Sequence, residues 1–268
     1  AGLRGSYLMV DTCAGEFAAR TPYFYSTCSD AGSTIERGRS VIILGSGPIR
    51  IGQGIEFDYS TVHGVQAVRN AGYEAVVVNN NPETVSTDFD ASDRLYFEPL
   101  DTEAVCDILD AEKPWGIILQ LGGQTAVNLA DTVAEHIATS GLKTRILGTS
   151  VENMSNAENR QKCGALMEEI GVRMPEWVAA TSAAEVVECA ERIGYPVLVR
   201  PSFVLGGRGM EIIHTHSQLK RYLKLETHAS PEQPVLVDSF LEGALELDVD
   251  MVSDGRRVLV GAIMEQIE

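Results

Sequence analysis

The chain has 268 residues, enough for one or two domains, and its 44% hydrophobic and 22% charged content is that of an ordinary globular protein. Its formal net charge of −17 argues against binding to nucleic acid or to an anionic membrane surface, because like charges repel. An anionic substrate stays possible, since a few arginines in a cleft can create a local positive site.

The number and spacing of the cysteines indicate whether the protein works in a reducing or an oxidising compartment. Their number is odd and none forms a CxxC pair: Cys13, Cys28, Cys106, Cys163 and Cys189. This pattern favours reduced thiols in the cytoplasm over a disulfide framework or a zinc site. No apolar run approaches the roughly 18 residues of a membrane span, and no signal peptide is visible.

From about residue 38 the sequence predicts a doubly wound α/β domain. Residues 1–30 lack a strong period, and the polar, Gly/Ser-rich stretch 29–39 indicates a linker or domain boundary. Short apolar runs then alternate with helical patterns, as parallel βα units require. We predict strands at 41–44, 75–78, 115–119 and from 146, with helices at 61–71, 102–112 and 125–138.

The remaining residues predict a second domain, an α+β nucleotide-binding unit that is mostly antiparallel. Here several strand patterns follow one another instead of alternating strictly with helices. We predict helices at 156–170 and 183–193, and strands at 197–199, 211–213, 235–237, 245–252 and 258–263.

Three motifs follow strands of the first predicted sheet: 45–54 (GSGPIRIGQG), 79–88 (NNNPETVSTD) and 120–124 (QLGGQ). Ligands of open α/β sheets bind at the carboxyl ends of strands, and glycines there let backbone N–H groups approach an anion. The first motif is GxGPxxxG, so it does not match the dinucleotide fingerprint GxGxxG. A tight turn without ligand explains the first motif equally well, and a capped loop explains the second better.

The strongest motif spans 199–210, VRPSFVLGGRGM. A strand delivers Arg200, and a loop containing Gly206 and Gly207 then returns into another strand. Phosphoryl-transfer enzymes need a fixed cation and a backbone-rich lid over the phosphates. We favour that interpretation over a plain hairpin.

An acidic strand pattern follows further along the chain. Glu246 could accept hydrogen bonds from ribose hydroxyls, and the backbone at 237–241 could contact a purine. The alternation of Glu246, Asp248 and Asp250 equally describes the solvated face of a strand.

These motifs resemble the carbamoyl phosphate synthetase large subunit family. The resemblance rests on GSGPIRIGQGIEFDYSTVH, NNNPETVSTDFDASDRLYFEP and VRPSFVLGGRGMEI, and it covers nearly the whole chain. IRIGQGIEFDY and PETVSTDFD are more similar to the C-terminal half of that subunit, which makes carbamoyl phosphate, than to the half that makes carboxy phosphate. VDTCAGEFAARTPYFYST resembles the end of the family's oligomerisation domain.

The resemblance implies the domain layout and the reaction. Residues 1–37 would end the oligomerisation domain, 38–150 would form a pre-ATP-grasp domain, and 151–268 would form part of an ATP-grasp domain. The reaction would be phosphorylation of carbamate by MgATP, giving carbamoyl phosphate and ADP, in arginine or pyrimidine biosynthesis.

The resemblance also implies roles for individual residues. Arg160 and Arg200 would contact the nucleotide phosphates as catalytic groups, and Gly206 and Gly207 would belong to the lid loop. The adenine and ribose would contact the residues Ser239, Leu241 and Glu246.

Ions and partners follow from the same resemblance. Mg²⁺ or Mn²⁺ and K⁺ would take part, but the chain ends before the family's metal-binding Gln, Glu and Asn, so no metal ligand is named and the isolated fragment is expected to be inactive. The partners would be a glutaminase small subunit, the other half of the large subunit and further copies in a homo-oligomer. The alternatives are another ATP-grasp carboxylate ligase and a non-catalytic nucleotide-binding or assembly fragment.

Overall fold

The computed structural model describes residues 5–11, 16, 21–28, 33, 35, 38–49, 54–201, 209–225 and 234–267. The chain divides into two compact units, Ala1–Leu166 and Met167–Glu268, and the division falls within helix α6.

A seven-stranded sheet forms the centre of unit 1. The strands occur in the order β1-β2-β5-β4-β3-β6-β7; β1 and β2 are antiparallel, and every other neighbouring pair is parallel. Their bounds are Ser6–Met9 (β1), Tyr23–Thr27 (β2), Ser40–Leu44 (β3), Glu74–Val78 (β4), Arg94–Tyr96 (β5), Gly116–Ile118 (β6) and Arg145–Leu147 (β7).

Helices connect several of the parallel strands, and two further helices follow β7. Their bounds are Gly54–Asn70 (α1), Thr102–Glu112 (α2), Gln124–Val127 (α3), Ala130–Ser140 (α4), Val151–Glu158 (α5) and Arg160–Glu169 (α6), and a 3₁₀ turn spans Val85–Thr87. Asp101 begins α2 by accepting a 2.9 Å hydrogen bond from the Ala104 N–H, as an N-cap residue does.

The central strands are buried on both faces. In β3, Ile42 and Leu44 belong to one hydrophobic cluster, whereas Val41 and Ile43 belong to another. Helix α1 contributes to the second cluster, and α2 and α4 contribute to the first. Helices therefore cover both faces, which is why these strands read as continuous apolar runs and why the doubly wound prediction is confirmed.

The aromatic residues near the amino terminus pack on unit 1. Tyr7 of β1 and Phe24 of β2 lie in its core, and the Tyr7 ring meets the ring of Tyr96 edge-on at 5.1 Å. Strand β2 pairs in parallel with β5. Residues 1–37, which the resemblance assigns to the end of an oligomerisation domain, thus supply two strands to this sheet.

Several predicted boundaries in unit 1 were wrong. Helix α1 begins at Gly54, seven residues before the predicted start at 61, and the helix predicted at 125–138 is two helices, α3 and α4. The helix predicted at 156–170 is also interrupted, because Asn159 leaves helical geometry and its side chain accepts a 3.1 Å bond from the Lys162 N–H. That bond ends α5 and begins α6.

Unit 2 contains a four-stranded antiparallel sheet in the order β10-β9-β11-β8. Its elements are Trp177–Ala180 (β8), Ala183–Ile193 (α7), Val197–Pro201 (β9), Glu211–Ile213 (β10), His216–Leu225 (α8) and Val235–Ser239 (β11). Helices α7 and α8 pack against one face of the sheet, where Val197 and Val199 of β9 meet Val235 and Val237 of β11. Strand β8 and helix α8 were not predicted.

A hairpin completes unit 2. Strands Leu247–Ser253 (β12) and Val258–Glu265 (β13) pair with each other, with an irregular register after Asp250. Every residue of both strands is exposed, including apolar ones such as Met251 and Leu259.

Candidate nucleotide-binding site

The clearest polar arrangement in unit 2 joins Arg200 to Asp238. Arg200 Nε donates to Asp238 Oδ2 at 3.1 Å, and the two side chains are 29% and 7% exposed. The residues sit on adjacent antiparallel strands, β9 and β11, where Arg200 pairs with Leu236 and Leu198 pairs with Asp238. Side chains alternate along a strand, so both polar groups lie on the face opposite the hydrophobic cluster.

This pairing presents a guanidinium with its donors available. The bond to Asp238 uses Nε, and the terminal Nη groups of Arg200 make no hydrogen bond to the described part of the chain. A planar guanidinium held at one edge can donate two parallel bonds to a phosphate from the other. Burial raises the pKa of Asp238, and Arg200 offsets part of that rise.

The end of β11 presents an open backbone donor. The N–H of Ser239 donates to Glu176 O at 2.7 Å, and that of Phe240 donates to Pro196 O at 3.1 Å. Leu241, which is 59% exposed, follows them, and its N–H donates no bond to any described residue. A backbone N–H in this position, next to an ordered strand end, can donate a hydrogen bond to an acceptor on the edge of a planar base.

Arg160 and Glu246, the other predicted residues that the structure describes, lie on other elements. Arg160 is the first residue of α6 and belongs to unit 1, whereas Arg200 belongs to unit 2. Glu246 is exposed just before β12, and its backbone O accepts a 3.1 Å bond from Gln266 N–H. Gly206 and Gly207 lie outside the described residues. The convergence of these groups around one nucleotide stays a prediction.

Asp238 was missed by sequence reasoning, although a signal was present. It stands in the strand pattern VLVDS, where a charged side chain interrupts apolar residues. A carboxylate in a buried strand needs a cationic or hydrogen-bonding partner, and Arg200 was the prominent cation of the neighbouring strand motif.

In unit 1, hydrogen bonds join the loop after β3 to the loop after β4. The buried Asn79 side chain accepts bonds from Gly47 N–H (3.1 Å) and Asn81 N–H (3.2 Å), and its amide donates to Ser86 Oγ at 3.2 Å. Asp58 on α1 accepts from Ser86 N–H at 3.2 Å. These polar groups mainly order the loops, which favours the capped-loop interpretation of the second motif.

The loop after β6 touches the loop after β3. A Cβ atom added to Gly122 would lie 2.1 Å from the carbonyl oxygen of Gly45, so no side chain fits there. Close packing of backbones accounts for this glycine without a ligand. A cavity of about 680 Å³ remains beside the first two loops, lined in part by Pro48, Tyr59 and Glu83.

Within the described residues, no group of three or more His, Cys, Asp or Glu side chains could hold a metal ion. The same residues include no helix that is both long and apolar enough to cross a bilayer.

The fold of the chain is shared with enzymes of known structure. The chain resembles N5-carboxyaminoimidazole synthetase from Staphylococcus aureus in complex with ADP, with a TM-score of 0.61, 14% identity and coverage of 87% of this chain and 56% of that one. It also resembles biotin carboxylase from Campylobacter jejuni in a βγ-ATP complex, with a TM-score of 0.62, 16% identity and coverage of 82% and 50%. These likenesses show the fold, a doubly wound α/β unit with a mostly parallel sheet followed by an α+β unit with an antiparallel sheet, as predicted.

The family follows from sequence. Residues 37–156 match the carbamoyl phosphate synthase preATP-grasp domain, and residues 159–266 match the carbamoyl-phosphate synthase L chain, ATP binding domain. The chain is 54% identical to the carbamoyl phosphate synthase large chains of Methanosarcina acetivorans and Methanothrix thermoacetophila, over its full length. It belongs to the carbamoyl phosphate synthase large chain family. It spans 25% of the length of these relatives.

Proposed function

We propose that this chain forms the nucleotide-binding part of the large-chain half that phosphorylates carbamate with MgATP, giving carbamoyl phosphate and ADP. The observation that carries the proposal is Arg200, held at Nε by Asp238 on a sheet face opposite the core. The choice of this half rests on IRIGQGIEFDY and PETVSTDFD.

The residues of unit 2 would act by positioning and charge. Arg200 would donate through its Nη groups to the phosphates of ATP and reduce the charge that builds up during transfer. The N–H of Leu241 would donate to the adenine, with Ser239 beside it and Glu246 accepting from the ribose. Arg160 would add a second cation, and Gly206 and Gly207 would cover the phosphates.

Isothermal titration with ATP tests the nucleotide site. We expect saturable binding that Arg200→Ala weakens at least about tenfold, equivalent to about 1.4 kcal/mol. Arg192→Ala is the matched control, because Arg192 is an exposed arginine of the same unit and should leave the affinity within twofold. Equal affinities for wild type and Arg200→Ala, or no binding by wild type, would contradict the proposal.

Ligand-linked thermal stability tests the substrate. A ligand that binds only the folded state raises the melting temperature. ADP with carbamoyl phosphate should raise it more than ADP with bicarbonate. The reverse order would favour another carboxylate ligase, and ATP binding without any response to either second ligand would favour a non-catalytic nucleotide-binding fragment.

Ions and partners complete the proposal. Mg²⁺ or Mn²⁺ and K⁺ would accompany the nucleotide, and within the described residues no cluster of three or more His, Cys, Asp or Glu side chains would supply their ligands. A glutaminase small subunit would supply ammonia, the other half of the large chain would activate bicarbonate, and the assembly would be a homo-oligomer in the cytoplasm.

A further inference from the structure

A second cavity lies in unit 1 at the amino ends of the strands, on the sheet edge opposite the loops after β3, β4 and β6. Its volume is about 780 Å³, within the range of small-molecule sites. It is lined by the residues before β3 and β6 and by those that follow α2 and α4. The proposed nucleotide-binding residues of unit 2 take no part in it.

The cavity concentrates positive charge in a strongly acidic chain. Arg39, Lys113 and Lys143 line it, and Arg145 lies beside it, with its guanidinium 5.4 Å from the Trp115 ring centre. None of these four cations forms an ion pair within the described ranges of the chain. Their charge is therefore available to an anion, although the net charge of the chain is −17.

Aromatic rings orient one of these cations. The Arg39 guanidinium lies 4.5 Å from the Tyr73 ring centre and 5.0 Å from that of Trp115. Stacking uses the faces of the guanidinium and leaves its in-plane N–H groups free to donate. An arginine ordered in this way loses little side-chain freedom when it binds an oxyanion.

Lys113 occupies a position that favours glycine. It follows α2 with φ 49° and ψ 53°, in the left-handed region, where a side chain is strained and helices usually place Gly. Lys113 therefore lies at the cavity wall in a conformation whose backbone strain reduces the stability of the fold.

Acidic groups near the cavity are already engaged. Asp110 is the carboxylate among the described lining residues, and its Oδ1 lies 3.0 Å from His136 Nε2. The Glu74 carboxylate, beside Gly38, bonds Arg94 Nη2 at 2.9 Å. Neither cancels the excess of cations in the lining.

Helix ends explain only part of this charge. Lys113 and Lys143 lie near the carboxyl ends of α2 and α4, where cations offset the helix dipole. Arg39 precedes β3 and Arg145 begins β7, so the dipoles do not account for them. We propose that this cavity binds a small multivalent phosphate, such as a diphosphate group, through Arg39, Lys113 and Lys143.

Fluorescence of Trp115 tests the proposal at the cavity itself. The chain has two tryptophans, Trp115 and Trp177, so a Trp177→Phe background isolates the signal. Titration with inorganic pyrophosphate should give a saturable change in emission, because the anion neutralises the guanidinium over the indole. Orthophosphate should bind more weakly, and sodium chloride at matched ionic strength should give no saturable change.

Two cavity variants and two controls decide the result. Lys113→Gly suits the backbone at this position, so it should keep or raise the melting temperature while it weakens pyrophosphate binding at least threefold. Lys143→Gln should weaken binding similarly, whereas Lys220→Gln, an exposed lysine of unit 2, should not change it. Arg200→Ala should also leave the Trp115 signal intact. No saturable change, no effect of either cavity variant, or loss of the signal in Arg200→Ala would overturn the proposal.

Discussion

Arg200 on β9 donates through Nε to Oδ2 of Asp238 on β11, at 3.1 Å. The carboxylate is nearly buried, whereas the guanidinium is partly exposed. One edge of the cation is thus held by the sheet, and the other faces away from the hydrophobic cluster. The roles of these two residues can be separated experimentally.

Asp238→Asn should weaken ATP binding several-fold while the free energy of unfolding at pH 7 stays equal or rises. Asn holds a guanidinium less firmly than a carboxylate does. The Asn side chain is also neutral, so the folded protein no longer has to bury an ionised group. The carboxylate is costly to bury, because burial raises the pKa of Asp238 despite the neighbouring Arg200. ATP titration and urea unfolding measure the two effects. Tighter ATP binding would show that repulsion between Asp238 and the phosphates outweighs its hold on Arg200.

The same variant predicts a pH dependence. A carboxyl group whose pKa is higher in the folded state contributes most to stability below its unfolded pKa of about 3.9, and that contribution is lost as pH rises through the folded pKa. The stability of wild type relative to Asp238→Asn should therefore fall as pH rises from about 4. A difference that does not change with pH would contradict the raised pKa.

Leu241→Pro should weaken ATP binding, whereas Leu241→Ala should not. Proline removes the backbone N–H that we assign to the adenine, while alanine keeps it and only shortens an exposed side chain. A loss of about 0.5–1.5 kcal/mol is expected for one hydrogen bond. Titrations with ATP and with a triphosphate lacking the base measure it, and circular dichroism checks the fold. Equal losses for both nucleotides would contradict a contact with the base.

Glu112→Gln should destabilise unit 1 by about 3 kcal/mol or more, because it removes the buried counter-charge of Arg94 and leaves only the partly exposed Glu74. Glu112 is fully buried and bonds Arg94 Nε at 2.8 Å, Arg94 Nη2 at 3.1 Å and Tyr96 OH at 2.5 Å. Burial alone would lower the pKa of Arg94, but Glu112 and Glu74 raise it.

Glu74→Gln is the control for that change. Glu74 bonds the same guanidinium at 2.9 Å, but its side chain is 43% exposed, so the loss should stay below about 1 kcal/mol. Guanidinium chloride unfolding of both variants makes the comparison. Equal losses would show that burial of Glu112 does not set the strength of the pair.

Gly122→Ala should cost about 3 kcal/mol, at the upper end of overpacking effects, because the new Cβ would collide with the Gly45 carbonyl. Gly72→Ala is the comparison: φ is +81° there, but nothing lies within 4 Å, so only backbone strain of about 1–2 kcal/mol is expected. Thermal unfolding distinguishes them. Equal losses of stability in the two variants would mean that the loops after β3 and β6 can move apart to make room for the new Cβ without destabilising the fold.

Local patterns predicted much of the fold. Helices α2 and α7 and strand β10 have the predicted bounds, because periodicity and end signals agreed there. Strand β5 is only three residues long, and without its neighbours Arg94–Tyr96 shows no period. The break between α5 and α6 depends on one side-chain hydrogen bond of Asn159, which a helical pattern does not reveal.

The sequence by itself determined the βα alternation, the strand that carries Arg200 and the family resemblance, because these depend on residues close together in the chain. Tertiary structure decided which distant residues meet. Asp238 lies 38 positions from Arg200, and Arg39, Lys113 and Lys143 reach one cavity only after the strands have paired. Sheet pairing and core packing bring such groups together, and no local pattern specifies the partner of a strand or the face on which a cation finds its anion.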